Sequence, residues 1–317
     1  MTGRVCGTGS YIPVYSMDNN DIAKLVETSD EWIRERTGIA RRHIITNENT
    51  VTMAAEAAKE ALKDAGIAPD EVELIIVSTI SSNVIMPCAA CEVQKEIGAV
   101  NASCFDLNAA CSGFIFAYNT ANAYIESGLC KTALVIGSES LSKLTDWSDR
   151  GTCILFGDGA GAAVLKADDS TGFKPVAYSN GEKGAALTCT SKHFAGDDDN
   201  GLMKMDGREV FNFAVRKVPE VIKEVIELNG LQIEDIDYFV LHQANRRIVE
   251  SVAKRLATDI EKFPMNLMEY GNTSSATIPI LLDELRKKGT LKKGQKIVIA
   301  GFGAGLSWGA TILEWIV

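Results

Sequence analysis

A thiol, an imidazole and a carboxamide stand where this 317-residue chain turns from strand pattern to turn or helix: Cys111, His242 and Asn272. A thiol can hold a covalent intermediate, an imidazole can carry a proton, and an amide can donate to a developing oxyanion. Cys111 lies in Asp106-Leu-Asn-Ala-Ala-Cys-Ser-Gly113. Upstream, Ser103 to Leu107 reads as a short strand. Downstream, Phe114, Ile115, Tyr118, Ala121, Tyr124 and Ile125 repeat at helical spacing as far as Gly128. The cysteine therefore sits at a helix N-terminus, where free amides and the helix dipole favour thiolate over thiol. Taken alone, it fits a small core residue as well. His242 ends the apolar run Tyr238 to Leu241, at the carboxyl end of a strand, where parallel sheets bind ligands. A structural histidine held by a carbonyl fits the same place. Asn272, in Tyr270-Gly-Asn-Thr-Ser-Ser275, has the setting of a turn or cap residue before a helix starting near Ala276.

The other imidazoles and thiols point elsewhere. His43 follows two arginines and His193 lies in a polar loop beside Asp197, Asp198 and Asp199, so both read as solvated surface. Cys88 and Cys91 form a lone C-x-x-C without the second pair a zinc site needs, and read as packing residues; no metal site is expected. Eight irregularly spaced cysteines, with no basic-then-apolar N-terminal segment, read as reduced thiols in a cytoplasm. No apolar run approaches the roughly 18 residues of a membrane span. A formal charge of −10 argues against a general nucleic-acid binder.

Positioning those residues requires particular elements, and the chain supplies them twice. Val5 to Ile12 reads as a strand. Ser29 caps a helix closed by Thr37-Gly38, and Asn49-Thr50 opens a helix carrying Met53, Ala54, Ala57, Ala58, Ala61 and Leu62 that stops at Gly66. Leu74 to Ser78 is a wholly apolar strand of the kind buried on both faces. The segment Glu224 to His242 overlays Glu60 to Ser78, with Gly66 and Gly230 lying 164 positions apart. At the same offset Asn108 meets Asn272 and Gly137 meets Gly301, and each half closes on a glycine-rich strand entry. A constant offset across separate elements indicates duplication. The polar stretch from Lys166 to Thr171 places the boundary near 170: residues 1–170 carry the nucleophile, and 171–317 carry the histidine and asparagine. Two α/β halves on a pseudo-two-fold axis would bring all three into one cleft.

Together, Asp106-Leu-Asn-Ala-Ala-Cys-Ser-Gly-Phe114, His242-Gln-Ala-Asn-Arg-Arg247, Gly271-Asn-Thr-Ser-Ser275 and Gly301-Phe-Gly-Ala-Gly-Leu-Ser-Trp-Gly309 resemble the thiolase superfamily, and within it the β-ketoacyl-acyl-carrier-protein synthase III enzymes. Trp32-Ile-Arg-Glu-Arg-Thr-Gly-Ile39 and Asp149-Arg-Gly151 fit as well, so the resemblance spans the chain. It implies a thiolase-like duplicated α/β fold of five layers, αβαβα, with mixed, mostly parallel sheets. It also implies that Cys111 takes a short acyl group from acyl-CoA, with the backbone amides of Cys111 and Ala304 as oxyanion hole. Malonyl-acyl carrier protein then loses carbon dioxide, His242 and Asn272 stabilise its enolate, and the carbanion attacks acyl-Cys111. No cofactor is implied beyond the coenzyme A thioester substrate.

Asn272 discriminates within that superfamily, since chain-elongating synthases and degradative thiolases carry histidine in this motif. Ser78 to Ser82 also lacks the carboxylate that hydroxymethylglutaryl-CoA synthases use, and plant-type polyketide synthases have longer chains. By the same resemblance Trp32, Arg36 and Arg150 contact the coenzyme A nucleotide. Arg246, Arg247 and Lys254, on a helix whose apolar stripe is Ile248, Val249, Val252, Ala253 and Leu256, dock the acidic carrier protein. Asn212 stands where a basic carrier-binding residue is often found, which shifts weight to Arg247 and Lys254. Met86 stands where an aromatic residue commonly closes the acyl pocket across a homodimer interface, and its flexible side chain implies tolerance of longer or branched starters.

Overall fold

Two sheets carry the fold of the computed structural model, which describes residues 1–191, 196 and 199–317. The first contains β1 (Thr2–Tyr11), β2 (Leu74–Ser78), β3 (Ser103–Leu107), β4 (Thr132–Ser140) and β5 (Asp158–Asp168), in the order β1-β5-β4-β2-β3. The second contains β6 (Val176–Ser179), β7 (Tyr238–Leu241), β8 (Lys296–Gly303) and β9 (Ser307–Glu314), in the order β7-β8-β9-β6. The principal helices are α1 (Asp30–Thr37), α2 (Thr50–Ala65), α3 (Ala89–Ile97), α4 (Gly113–Glu126), α5 (Arg150–Cys153), α6 (Gly207–Leu228), α7 (Arg246–Leu256) and α8 (Thr277–Lys287).

Side-chain alternation along the strands builds the layers. Leu74 and Ile76 of β2 and Ala133 and Val135 of β4 pack with Phe114, Ile115 and Ala121 of α4 and with Ile278, Leu281 and Leu282 of α8. Their neighbours Ile75, Val77, Leu134 and Ile136 turn to the other face, onto the alanine stripe of α2 and onto Ala89, Ala90 and Val93 of α3. The second sheet repeats this: Ile297 and Ile299 join α4 and α8, while Val298, Ala300 and Phe302 face α6 and α7. The result is five layers, αβαβα, with α4 and α8 sandwiched between the sheets.

The sheets are mixed, but not mostly parallel. Pairs β2/β3, β2/β4 and β7/β8 are parallel, whereas β1/β5, β4/β5, β8/β9 and β6/β9 are antiparallel. The cause lies in the glycine-rich closing strands of each half. β9 follows β8 through the short Ala304-Gly305-Leu306 turn and so must run back beside it, whereas β5 returns antiparallel beside β4 after the longer segment that contains α5.

The 164-residue offset holds at atomic detail. The 3-10 turns Ala110–Ser112 and Ser274–Ala276 are equivalent, as are those at Pro69–Glu71 and Ile233–Asp235. Gly66 and Gly230 end α2 and α6 at φ 64° and 68°, and Ala110 and Ser274 share φ values of 47° and 51°. Asn108 Oδ1 accepts from Ala110 N–H as Asn272 Oδ1 accepts from Ser274 N–H. The offset does not extend to α3 and β3, which at +164 fall on residues 253–261, past most of α7, and on the helical turn Leu267–Tyr270, and the first half also inserts the segment containing α5 before its closing strand. Caps stand where the side chains require them. Ser29 Oγ accepts from Trp32 N–H, and Asn49 makes a capping box with Thr52.

Candidate active site

Cys111 occupies the 3-10 turn that runs into α4, one residue after the left-handed Ala110. A non-glycine residue at positive φ is strained, and that strain is held here by the packing of the two equivalent turns against each other. Cys111 as a whole residue is 7% exposed. Burial, with the Glu139 carboxyl adding to it and the Ser274 hydroxyl opposing, pushes the thiol up to about 12. This corrects the expectation of a thiolate: removal from water outweighs the helix terminus, and the resting nucleophile is a thiol.

His242 continues β7, its N–H donating to Ala300 O at 2.9 Å. Its ring lies edge-on to Phe302 at 5.3 Å between centroids, and burial pushes it down to about 3, so the imidazole is neutral. Nδ1 is 2.7 Å from Thr277 Oγ1, which itself lies 2.9 Å from Ser274 O. Thr277 Oγ1 gives its one proton to Ser274 O, so Nδ1–H donates to the threonine oxygen and Nε2 is the unprotonated nitrogen. Asn272 is pinned by its backbone, N–H to Leu155 O at 2.9 Å and O from Gly157 N–H at 3.0 Å. Its Oδ1 is used by Ser274 N–H at 2.9 Å, which leaves Nδ2 as a donor.

All three residues line one narrow cavity of about 80 Å3, walled by Phe156, Phe302 and Gly303. A second, mostly apolar cavity of about 40 Å3 opens on the other side of Cys111, between Ile80, Leu141, Met203 and Ala304. Gly303 has a steric reason: a Cβ there would lie 2.7 Å from Cys111 N and 3.0 Å from Ser112 N. Ala304 follows it at the tip of the β8–β9 hairpin.

The nucleotide-contact residues also assemble. Arg150 Cζ lies 5.0 Å and Arg36 Cζ 5.8 Å from the Trp32 ring centroid, and Arg150 Nη1 donates to Glu27 O. On α7, Arg247 and Lys254 are exposed, Arg247 stacking on Phe211 at the cavity edge, while Arg246 pairs with Glu250 at 3.4 Å. Met86 is 87% exposed and lines neither cavity. Its neighbours Ser82 to Ile85 border an open groove of about 1130 Å3 that also reaches Asn108 and Ala304.

His43 departs from its expected place on the surface. It is half-buried, Nδ1 lying 2.6 Å from Pro13 O and the ring tilted on Tyr270. His193 lies outside the described residues. Cys88 and Cys91 are half-buried with their sulfurs 3.4 Å apart, and no cluster among the described residues is arranged to hold a metal ion. No helix among the described residues is long and apolar enough to cross a membrane. Sequence reasoning missed Glu139, Ser274 and Thr277. The signal for Glu139 was available as an acid near the end of an otherwise small and apolar run, Thr132 to Ser140, in which every residue is buried.

Comparison with known proteins decides the family. Residues 105–184 match the description 3-oxoacyl-[acyl-carrier-protein] synthase III, and residues 226–315 match its C-terminal part. A β-ketoacyl-[acyl-carrier-protein] synthase III of Clostridium acetobutylicum is 53% identical over 98% of both chains. The chain belongs to the β-ketoacyl-acyl-carrier-protein synthase III family. Among solved structures of this family, the Aquifex aeolicus synthase III superposes with a TM-score of 0.94 at 42% identity, covering 99% of this chain and 100% of the other. The priming β-ketosynthase of the R1128 polyketide pathway superposes with a TM-score of 0.95 at 36% identity, over 99% and 96% of the two chains. These relationships place the chain among the acyl-transferring condensing enzymes of fatty acid synthesis.

Proposed function

We propose that the chain condenses a short acyl-CoA starter with malonyl-acyl carrier protein through an acyl-Cys111 intermediate, giving 3-ketoacyl carrier protein, coenzyme A and carbon dioxide. The observation that carries this reading is the convergence of Cys111, His242 and Asn272, from the two halves of the chain, on one apolar-walled cavity.

Cys111 Sγ attacks the thioester carbonyl, and the oxyanion is met by the backbone N–H groups of Cys111 and Ala304. Because burial keeps the thiol protonated, its proton must leave as the bond forms. Neutral His242 accepts it on Nε2 and delivers it to the departing coenzyme A sulfur. Trp32, Arg36 and Arg150 hold the nucleotide by stacking and charge. The carrier protein docks on Arg247 and Lys254, with Arg246 beside them. A malonyl carboxylate brought between Phe156 and Phe302 loses hydration, which favours its loss as neutral carbon dioxide. The electron pair passes into an enolate whose oxygen accepts from Asn272 Nδ2–H and from His242 Nε2–H, which by then carries the one proton that each turn takes up. The enolate carbon attacks acyl-Cys111, the C–S bond breaks, and the departing sulfur takes the proton from His242 to become a thiol again. No metal or redox group enters these steps.

The working unit is a cytoplasmic homodimer in which Met86 of one chain closes the acyl pocket of the other. Its exposure in the single chain supports this role. The halves are read as 1–170 and 171–317, supported by β5 ending at Asp168 and β6 starting at Val176. The likeness to a polyketide priming ketosynthase favours a second reading, condensation for a specialised pathway, which comparing carrier-protein acceptors would separate from the first.

Intact-mass spectrometry with acetyl-, isobutyryl- and butyryl-CoA tests the reading. It requires one acyl adduct, absent in Cys111→Ala and discharged by malonyl carrier protein. A wild-type protein that takes no adduct from any donor refutes it.

A further inference from the structure

Two buried hydroxyls from opposite halves of the chain meet beside the nucleophile. Ser112 follows Cys111 on its 3-10 turn, and Ser307 opens β9 across the ladder from Gly303. Ser112 is 0% and Ser307 5% exposed, and their Oγ atoms lie 2.7 Å apart. Ser112 Oγ is also 2.8 Å from Ala109 O, and Ser307 Oγ is 3.0 Å from Ala304 O. Two hydroxyl oxygens approach to 2.7 Å with a proton between them, so one serine donates across the pair. Either Ser307 donates to Ser112 and Ser112 to Ala109 O, or Ser112 donates to Ser307 and Ser307 to Ala304 O. Both arrangements tie the β8–β9 hairpin to the nucleophile turn.

Each end of this link carries one donor of the oxyanion pair. Cys111 immediately precedes Ser112, Ala304 sits at the hairpin tip two residues short of the Leu306–Ser307 junction, and Cys111 and Ala304 line the same cavity of about 40 Å3. The outer side of the hairpin is held elsewhere: Asn180 N–H donates to Leu306 O at 2.7 Å, and Leu306 N–H to Asn180 O at 2.9 Å. On the inner side stand the packing of Gly303 on the Cys111 and Ser112 amides and the serine pair. The turn itself does not need a hydroxyl. Its equivalent in the second half, Ser274–Ala276, has alanine at the position matching Ser112, yet opens with the same left-handed backbone, φ 51° against 47°.

We propose that Ser112 and Ser307 are positioning residues that hold the Cys111 and Ala304 amides at one fixed separation, so that both N–H groups reach the same oxyanion. The hydroxyls act through the backbone they fix and not on the substrate. Donors fixed in advance spare the reaction the cost of arranging them as charge develops. The oxyanion forms twice in each turn, when sulfur takes the acyl group and again when the enolate attacks it. Both steps therefore draw on the serine pair, whereas the enolate itself is met by His242 and Asn272.

This inference rests on the proposed condensing reaction. Ser307→Ala and Ser112→Ala test it, and neither strands a buried donor, because the surviving hydroxyl keeps a carbonyl, Ala109 O or Ala304 O. Single-turnover acylation is followed by intact mass over a range of acetyl-CoA concentrations. The maximal rate of Ser307→Ala should fall by about 10-fold, a part of the 100-fold or more that a whole donor is worth, with the half-saturating concentration within about twofold of wild type. Ser307→Thr, which keeps the hydroxyl, should recover most of the rate. The double alanine variant should be no slower than the slower single one, because the two hydroxyls form one link. Infrared spectra of acetyl-Cys111 labelled with carbon-13 at the carbonyl report hydrogen bonding to the acyl oxygen, and its stretching frequency should rise in the alanine variants but not in Ser307→Thr. Acylation by Ser307→Ala within about twofold of wild type overturns the proposal, as does a slowed variant with an unchanged carbonyl frequency. A rate loss that accompanies a lowered melting temperature and is not restored by Ser307→Thr overturns it too. Failure of wild-type acylation would instead sink the condensing reading itself.

Discussion

Replacing Gly303 by alanine tests whether the amide of Cys111 is a working part of the site. The added Cβ would stand 2.7 Å from Cys111 N and 3.0 Å from Ser112 N, where ordinary contact starts near 3.4 Å. Relief requires the end of β8 to retreat by about 0.7 Å from the turn that carries the nucleophile. The strand is held in register, Gly303 opposite Ser307 and Phe302 opposite Trp308, so it retreats only by disturbing the hairpin that presents Ala304. Either outcome, a blocked Cys111 N–H or a displaced Ala304, spoils one oxyanion donor, which costs about 100- to 1000-fold, or about 3–4 kcal/mol of transition-state stabilisation. Quenched-flow acylation followed by intact mass measures this directly, with thermal unfolding as the control for folding. The reasoning fails if Gly303→Ala acylates within about threefold of wild type at an unchanged melting temperature.

Acid should weaken the fold through His242. Its folded value of about 3 lies below the ordinary 6.5, so its contribution is intact above pH 6.5 and is lost as pH falls toward 3, by up to about 5 kcal/mol. Urea unfolding at stepped pH should show this decline, and His242→Asn should flatten it. Arg150→Ala, which leaves Trp32 with only the more distant Arg36, should raise the KM for acyl-CoA by about 3- to 10-fold with little change in kcat. With an acyl-pantetheine donor, which lacks the nucleotide, the variant should match wild type, and an equal KM defect with both donors would remove Arg150 from nucleotide binding.

Much of this arrangement was legible in the sequence because it is carried by periodicity and punctuation. The apolar run of β2, the Asn49 cap, the αL glycines 66 and 230 and the constant 164-residue spacing are local signals, and each has its structural counterpart. The spacing alone brought Cys111 toward His242 and Asn272. Strand direction was less legible. A buried strand is apolar whether its neighbour is parallel or antiparallel, so β5 and β9 hid their reversed sense. The protonation of Cys111 was missed for a related reason. Helix position is local, but the water excluded by Phe156, Ile80, Leu141 and Met203 comes from segments far along the chain. His43 likewise looked polar beside two arginines, and only the approach of Pro13 and Tyr270 covers it.

The shared backbone of the two 3-10 turns has a consequence for descent. At the position equivalent to Cys111, 164 residues on, stands Ser275. Its hydroxyl is spent on Ser78 O and Glu139. Fusing two copies of one ancestral unit left two identical seats for a nucleophile at the heart of the molecule. One kept the reactive atom, while the other, relieved of that duty, became a rivet between the copies. The handedness of the cleft, with sulfur entering from one side and donors from the other, was thus written by divergence of side chains upon a scaffold that remained symmetric.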